Sequence, residues 1–397
     1  MPLTKAFIPY GAYWSTPFAR WQGALAGQHA VRLAAEVATE VLAARKIEAR
    51  VFDGVLLGMT VPQRHSFYGA PWLAGMIGAP TTTGATISQA CATSARVLAS
   101  AAAEVELGQR SCVLGVACDR TSNGPHVYYP APTAPGGRGD AEDWVWDNFN
   151  KDPWAGNAMV ETAEKAARAE GITREQQDEV TLLRYEQYAA ALANDRAFQK
   201  RYMAPVTLRA GKKEVGKVEG DEGVFPTTRE GLAKLKPVTE GGTVTFGSQT
   251  HPADGNAGMV VCTRDRAQEL SRDKKVTIQV LAWGEARVDK GMMPTAVLPA
   301  ALAALGHAGV KLADCKAVKT HNPFAVNDVY FSKKTGRAPS EMNRYGSPLV
   351  YGHPQGPTGL RLIAELIEEL AESGGGYGLF SGCAAGDTAM AVVLKVM

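Results

Sequence analysis

Two patterns of hydrophobic positions alternate along the chain. Between Gly23 and Arg45, apolar residues recur at helical spacing, and the segment FDGVLLGMT, which starts at Phe52, is typical of a buried strand. A short strand then leads to Cys91 and an alanine-rich helix that ends near Gly108, and SCVLGVACD predicts a further buried strand. This order of elements predicts an α/β protein.

The pattern changes between residues 121 and 242, which are rich in Pro, Gly, Trp and charge. A helical pair in this region has its first turn capped by Thr173. We interpret the region as an inserted loop domain that covers a site. Its aromatic residues either shape a pocket for a bulky or aromatic group or anchor the loop; they are Tyr128, Tyr129, Trp144, Trp146 and Trp154.

After the insertion the α/β pattern resumes, and it ends in a predicted hairpin, YGLFSGCAAGDTAMAVVLKV. The order helix, short acidic turn, strand occurs in both halves, as AARKIEARVFDGVLLG and as ALGHAGVKLADCKAVKT. We therefore predict two related halves. Residues 1–120 with 243–268 form the N-terminal half, 121–242 the insertion, and 269–397 the C-terminal half.

Composition and charge narrow the class of protein. The 397 residues are 45% hydrophobic with a net charge of +2, which favours a globular protein and gives no reason to expect nucleic acid or an anionic membrane as partner. No apolar run approaches the roughly 20 residues that span a bilayer. The six cysteines show no CxxC pair and the chain starts without a secretory leader, which predicts a cytoplasmic protein with free thiols.

Cys91 is the first candidate for chemistry, because it lies where a strand gives way to a helix. Unpaired backbone N–H groups at a helix start lower a thiol pKa, which predicts a nucleophilic thiolate. The structural alternative is a buried apolar cysteine on a helix of small residues.

His353 and Cys383 complete a possible acid/base set. His353 lies in YGHPQGPTG, whose glycines and prolines hold an irregular backbone, so its imidazole is a candidate base for Cys91, or simply a turn residue. Cys383 lies in the turn FSGCAAGD and is a candidate second acid/base, with the turn amides as an oxyanion hole; alternatively the turn only links two strands. His321, in THNPFAVND, is a lone histidine near Asn322 and Asn327.

The spacing of histidines and cysteines predicts no metal site. The seven histidines never stand four residues apart, and no cysteine lies close to any of them in sequence.

Four segments, in this order, resemble the thiolase family over essentially the whole chain. ISQACATSARVLASAAAEVELG is similar to its nucleophile segment, TVTFGSQTHPADGNAG to its coenzyme-A-lining segment, YGHPQGPTG to its GHPxGxxG box and SGCAAGD to its terminal CxG box. The resemblance implies a five-layered α-β-α-β-α fold of two related halves with an inserted loop domain over the pantetheine tunnel.

The resemblance also implies the roles of individual residues. Cys91 is the acylated nucleophile, His353 its base and an oxyanion-hole donor, and Cys383 the acid/base, while His321 helps hold an oxyanion or its water. Asn322, Ala385 and Gly386 support the oxyanion sites. Thr250, Met159 and Phe324 contact coenzyme A (CoA) or the acyl group.

The implied reaction is cleavage of a 3-oxoacyl-CoA by CoA to acetyl-CoA and a shortened acyl-CoA, or the reverse Claisen condensation. CoA and acyl-CoA are substrates, and no bound cofactor is expected. The implied assembly is a homodimer or homotetramer, with a small accessory protein as a further candidate partner. Fatty acid or aromatic acid metabolism is the expected setting.

Two departures from the family pattern leave other functions open. His321 to Phe324 read HNPF where the family commonly has NEAF or HEAF, and Ala385 replaces a usual glycine. One alternative is a decarboxylating condensing enzyme of the ketosynthase type, which would use Cys91 with His321 and His353. The other is a non-catalytic thiolase-like subunit that binds acyl-CoA.

Overall fold

The computed structural model describes residues 2–211 and 213–397, and within them strands and helices alternate as the hydrophobic pattern predicts. The strands are β1 (Phe7–Ile8), β2 (Tyr13–Ser15), β3 (Ala19–Arg20), β4 (Gly54–Gly58), β5 (Thr86–Ile87), β6 (Cys112–Arg120), β7 (His126–Tyr129), β8 (Asp140–Asp143), β9 (Val206–Ala210), β10 (Lys213–Val218), β11 (Ala253–Cys262), β12 (Ile278–Arg287), β13 (Cys315–His321), β14 (Gly376–Ala384) and β15 (Thr388–Val396).

The helices lie between these strands and in the insertion. They are α1 (Ala30–Ala44), α2 (Gly69–Met76), α3 (Thr93–Glu106), α4 (Trp146–Asn150), α5 (Met159–Glu170), α6 (Arg174–Ala191), α7 (Ala193–Arg196), α8 (Arg229–Ala233), α9 (Arg264–Leu270), α10 (Val297–Ala308), α11 (Ala325–Thr335), α12 (Pro348–Tyr351) and α13 (Thr358–Glu372).

The central sheet has the same strand order twice. Its strands follow the order β13-β14-β15-β12-β1-β11-β6-β4-β5. In one half, the strands β1-β11-β6-β4 form two antiparallel pairs followed by a parallel pair. In the other half, β12-β15-β14-β13 also form two antiparallel pairs followed by a parallel pair. β1 also pairs with β12, which joins the two halves. The two related halves predicted from sequence are therefore present.

Five layers of secondary structure follow from the packing. Helices α3 and α13 pack on each other and lie between the two half-sheets. Helices α1 and α2 cover the outer face of the N-terminal half-sheet, and α10 and α11 lie on the outer side of the C-terminal half. One apolar core fills the middle layer and a separate core lies under each outer layer. The expected α-β-α-β-α arrangement is confirmed.

Helix α13 is buried along nearly its whole length although it carries charged residues. All of residues 358–370 are buried, including Arg361 and Glu368. Arg361 pairs with Asp221 at 2.6 Å, and Glu368 pairs with Arg201 at 2.7 Å. Buried charges are stable only when they are paired, so residues of the insertion allow this helix to occupy the middle layer.

The insertion packs on both halves. Helix α6 begins as predicted, with Thr173 and Gln176 forming a reciprocal capping box. It packs on α11 of the C-terminal half, whereas Val206 and Val218 of the β9-β10 hairpin join the N-terminal core. None of the helices within residues 2–211 and 213–397 combines the length and apolarity that crossing a bilayer requires.

The aromatic residues of the insertion make local anchoring contacts. Trp144 Nε1 donates to the Thr60 carbonyl at 2.9 Å, and Tyr129 donates to Glu142 at 2.7 Å. The remaining three rings are more than half exposed; Tyr128 accepts a bond from the Gly139 amide, Trp146 packs near Trp21, and Trp154 lies under the Lys290 ammonium. Of the two roles considered for these rings, the contacts favour anchoring.

Candidate active site

Cys91 lies on a strained turn between β5 and α3. The preceding residue, Ala90, has φ of 44°, a left-handed conformation that is uncommon outside glycine. Thr93 holds the turn, because its backbone amide and its hydroxyl both donate to the Ala90 carbonyl while the hydroxyl accepts from the Gln89 amide. The turn presents a partly exposed Cys91 just ahead of the helix, as the sequence predicts.

The expected lowering of the Cys91 pKa is wrong. Burial of the thiol raises its pKa to about 11, although a hydrogen bond from the Ala385 backbone opposes this shift. The Asp119 carboxylate raises the pKa further. Loss of hydration therefore raises the thiol pKa more than the backbone N–H groups at the helix start lower it. The resting nucleophile is a neutral thiol that requires a base.

The starts of α3 and α13 lie side by side, which brings Cys91 and His353 together. The Leu360 amide of α13 donates to the Ser94 hydroxyl of α3 at 2.9 Å. A side chain at Gly359 would place its Cβ 2.9 Å from the same hydroxyl, so the close approach requires glycine there. Each functional residue lies a few positions before its helix.

His353 is held so that one ring nitrogen is free. Nδ1 lies 2.7 Å from the Thr358 hydroxyl, and the backbone amide donates to the His251 carbonyl at 2.9 Å. Nε2 is buried and has no hydrogen-bond partner within the described residues. Burial, followed by the neighbouring His321, lowers the His353 pKa well below its usual value, so the ring is neutral and Nε2 can accept a proton when Nδ1 donates to Thr358.

His321 stands at the end of β13 and lies against His353. The two ring centroids are 4.1 Å apart and the planes are inclined by 38°. Both nitrogens of His321 are buried without a partner in the part of the chain that the structure describes, and burial lowers its pKa to about 3. The Cys91 sulfur and one nitrogen from each histidine all lie within 4.8 Å of one another. Sequence spacing gave no sign of this cluster.

Cys383 completes the group from the end of β14. It is fully buried, and Asn327 of α11 donates a hydrogen bond to its sulfur at 3.2 Å. Burial, then the nearby Cys91, raises the pKa of Cys383. The Asn327 contact, which the sequence does not indicate, fixes the thiol beside the nucleophile.

Asn322 lies beside a carboxylate, although the acidic residue usual in the family is missing at this position. Its Nδ2 donates to Asp328 of α11 at 2.6 Å, and Arg184 of the insertion pairs with the same carboxylate at 2.8 Å. The asparagine at a position where the family has an acidic residue therefore ties β13 to a buried ion pair. Asn322 Oδ1 is unpartnered within the described residues.

The other sequence-assigned positions lie on several different elements. The Ala385 amide is at the Cys91 sulfur, and Gly386, with φ of 81°, turns the chain between β14 and β15. The Thr250 amide donates to the Pro323 carbonyl at 2.7 Å. Gln249, the residue before Thr250, forms an isolated β-bridge with Phe324. Met159 begins α5 and packs at the edge of the C-terminal core.

Asp119 is a buried residue near the site that sequence reasoning missed. It is the second-to-last residue of β6 and accepts bonds from the amides of Thr60 and Val61 and from the Thr60 hydroxyl. It also accepts from the Gly356 amide at 2.7 Å, which fixes the loop that carries His353. Burial raises its pKa to about 7 despite these bonds. An isolated aspartate at a strand end carries no sequence signal for such a role.

Comparison with known proteins agrees with this geometry. Residues 12–265 match the family described as thiolase, N-terminal domain, and residues 274–396 match thiolase, C-terminal domain. The chain belongs to the thiolase family. It is thus an enzyme of the acyltransferase class.

Thiolase relatives resemble this chain over almost its whole length. An acetyl-CoA acetyltransferase of Rhizobium meliloti is 28% identical over 96% of both chains, as is the mitochondrial 3-ketoacyl-CoA thiolase of Homo sapiens. The crystal structure of human mitochondrial 3-ketoacyl-CoA thiolase in complex with CoA superimposes with a TM-score of 0.91 at 26% identity, covering 100% of this chain and 99% of that one.

Proposed function

We propose that this thiolase cleaves a 3-oxoacyl-CoA with CoA, or runs the reverse Claisen condensation, through an acyl group carried on Cys91. The observation that supports this most strongly is the convergence of the Cys91 sulfur with His353 within 4.8 Å. The Cys91 thiol lies close enough to Cys383 to raise the pKa of Cys383. A thiol, a neutral imidazole and a second thiol are the groups that a two-step acyl transfer requires.

In the first step His353 Nε2 takes the proton of Cys91, and the thiolate attacks the 3-oxo carbon of the substrate. The Ala385 amide, already at the sulfur, can donate to the oxyanion that forms. The bond between carbons 2 and 3 then breaks, Cys383 protonates carbon 2 of the leaving enolate, and acetyl-CoA departs.

In the second step the thiol of free CoA passes its proton to the Cys383 thiolate left by the first step and attacks the acyl-enzyme. The thioester to Cys91 breaks, the Cys91 thiolate takes back its proton from His353, and the shortened acyl-CoA leaves. In the reverse direction Cys383 instead removes the α-proton of acetyl-CoA. The neutral His321, with no bonded partner within the described residues, is suited to donate an N–H to the enolate oxygen. Loss of such a donor typically slows the reaction by about 100- to 1,000-fold.

The surroundings support a further set of assignments. We propose that Thr250, Phe324 and Met159 contact CoA or the acyl group. We also propose that residues 121–242 cover the bound substrate between the two halves. The N-terminal half comprises residues 1–120 with 243–268, and the C-terminal half comprises residues 269–397. Six free cysteines support a reducing compartment such as the cytoplasm. Assembly as a homodimer or homotetramer, the accessory protein and a place in fatty acid or aromatic acid metabolism remain predictions.

Cys383 separates this proposal from a decarboxylating condensing enzyme. We expect Cys383→Ser to lower the rate of deuterium exchange at the α-carbon of acetyl-CoA by about 100-fold or more, because serine is a far weaker acid than cysteine. Exchange is measured by NMR in D₂O. A ketosynthase-type enzyme, in which Cys383 has no role, would not respond to this change.

Cys315→Ser provides a matched control, since Cys315 is also buried but starts β13, at the opposite end from His321. It should leave exchange close to that of the unmodified enzyme. Full exchange in Cys383→Ser would remove Cys383 from the mechanism.

A further inference from the structure

The cluster of Cys91, His321 and His353 has the donor set of a metal site. It brings together one thiol and two imidazoles, with their donor atoms within 4.8 Å of one another. Zn²⁺ and similar borderline-soft cations bind thiolate and imidazole well, whereas Mg²⁺ and Ca²⁺ prefer oxygen ligands. The three residues come from separate elements far apart in the chain, so the local spacing of histidines and cysteines gives no sign of a metal site.

The free atoms of the two histidines provide a second, independent observation. His321 is 1% exposed and neither of its nitrogens has a partner within the described residues; His353 is 6% exposed and its Nε2 likewise has none there. Buried polar groups ordinarily find a partner, and these nitrogens lie beside the Cys91 thiol. Each of these nitrogens can offer a lone pair to a metal when it carries no proton.

We propose that Cys91, His321 and His353 form a reversible binding site for Zn²⁺ or a chemically similar divalent cation, and that an ion bound there blocks acyl transfer. The inhibition rests on the proposed role of Cys91, whereas the binding does not. One proton leaves the Cys91 thiol for solvent as each ion binds, and each neutral imidazole contributes a lone pair. A tetrahedral ion would leave a fourth position open for water.

Binding of an ion requires the three donor atoms, which lie within 4.8 Å of one another, to move closer together. Zn–N bonds of about 2.0 to 2.1 Å and a Zn–S bond of about 2.3 Å place the three donor atoms roughly 3.5 Å apart. His353 would bind through Nε2, because its Nδ1 is bonded to Thr358. This bond orients the ring as outer-shell partners do in metal sites. Both the nucleophile and its base would be occupied, which is why the ion inhibits.

Binding of Co²⁺, a spectroscopic substitute for Zn²⁺, tests the site without measuring activity. Titration of chelator-treated enzyme should show one ion per chain, tetrahedral visible bands and a sulfur-to-cobalt charge-transfer band. Cys91→Ser should lose the charge-transfer band, and His321→Asn should weaken affinity at least about tenfold, the lower end of what losing even an outer-shell partner costs. Cys315→Ser, which removes a buried thiol at the opposite end of β13 from His321, is the matched control and should bind as tightly as the unmodified enzyme.

A second measurement needs no variant. Zn²⁺ should slow alkylation of Cys91 by iodoacetamide, read by peptide mass spectrometry, and a chelator should restore the rate.

Three results would overturn the metal site: absence of the charge-transfer band, survival of that band in Cys91→Ser, or an alkylation rate that Zn²⁺ does not change. An enzyme that acylates Cys91 but fails to bind Co²⁺ would refute this inference alone, whereas one that binds Co²⁺ but never acylates would refute the proposed function instead.

Discussion

At the scale of single residues, the nucleophile depends on its neighbours more than on its own acidity. Burial raises the pKa of Cys91 to about 11, so the thiolate is scarce at neutral pH until His353 accepts the proton. Cys91 therefore differs from thiols that are activated by a lowered pKa, and its reactivity toward a small electrophile should be limited by the small fraction that is ionised.

The pH dependence of Cys91 alkylation tests this point. Because only the thiolate reacts, the rate with iodoacetamide should rise about tenfold per pH unit between pH 7 and 9.5 without reaching a plateau. Peptide mass spectrometry measures the rate at Cys91 itself. A plateau below pH 8 would mean that the thiol is already ionised in the resting enzyme.

At the scale of elements, the sequence predicted strongly patterned segments well and weakly patterned ones poorly. The strand-to-helix transition at Cys91 and the cap at Thr173 are local features, and both are present. Helix α1, by contrast, begins at Ala30 and not near Gly23, because glycines and turns occupy residues 21–29. The segment TVTFGSQTHPADGNAG contains the start of β11, a fully buried central strand whose polar residues concealed its pattern.

Asp119 connects three elements through one buried carboxylate. It lies near the end of β6, accepts hydrogen bonds from the chain just after β4 and holds the loop before α13. Its pKa is raised from 3.8 to about 7. The folded chain therefore keeps a proton that the unfolded chain has lost between about pH 4 and 7, and this group's contribution to stability falls as pH rises through that window.

We predict that Asp119→Asn removes this pH dependence. The free energy of unfolding should fall less steeply between pH 4 and 7 in the variant than in the unmodified enzyme, as measured by urea denaturation. Since Asp119 also raises the pKa of Cys91, the alkylation profile should shift to lower pH.

Asp53→Asn is the matched control for this change. Asp53 accepts bonds from Ser111 and Cys112, and these bonds lower its pKa. Its stabilising contribution is therefore present above the unfolded pKa and lost as pH falls, the opposite sign to Asp119. Parallel pH profiles for Asp119→Asn and the unmodified enzyme would show that Asp119 does not titrate in this range.

At the scale of the whole molecule, the active site joins the two related halves. Cys91 precedes α3 in the first half, His353 precedes α13 in the second, and the two helices occupy matching places in the repeated order of elements. Their starts touch in the middle layer. His321 and Cys383 then reach the site from the ends of β13 and β14, which are parallel neighbours.

This convergence could be predicted from sequence only through the family resemblance. Residues 91, 321, 353 and 383 are far apart in the chain, and no local spacing indicates that they meet. The same limit applies to the ties between distant elements, such as Asn322 and Arg184 on Asp328, and to the three-donor cluster. The hydrophobic pattern predicted an α/β protein of two related halves, and the family resemblance predicted its five layers. The side-chain contacts between layers could be seen only in the structure.

The most direct test of the account is to look for the acyl group on Cys91. The enzyme is mixed briefly with short, long, branched and aromatic 3-oxoacyl-CoAs in the absence of free CoA, and intact and peptide mass spectra are recorded. At least one substrate should add its shortened acyl group to Cys91, with none on Cys91→Ser, and free CoA should remove it. No adduct with any substrate, or an adduct that persists in Cys91→Ser, would contradict the account.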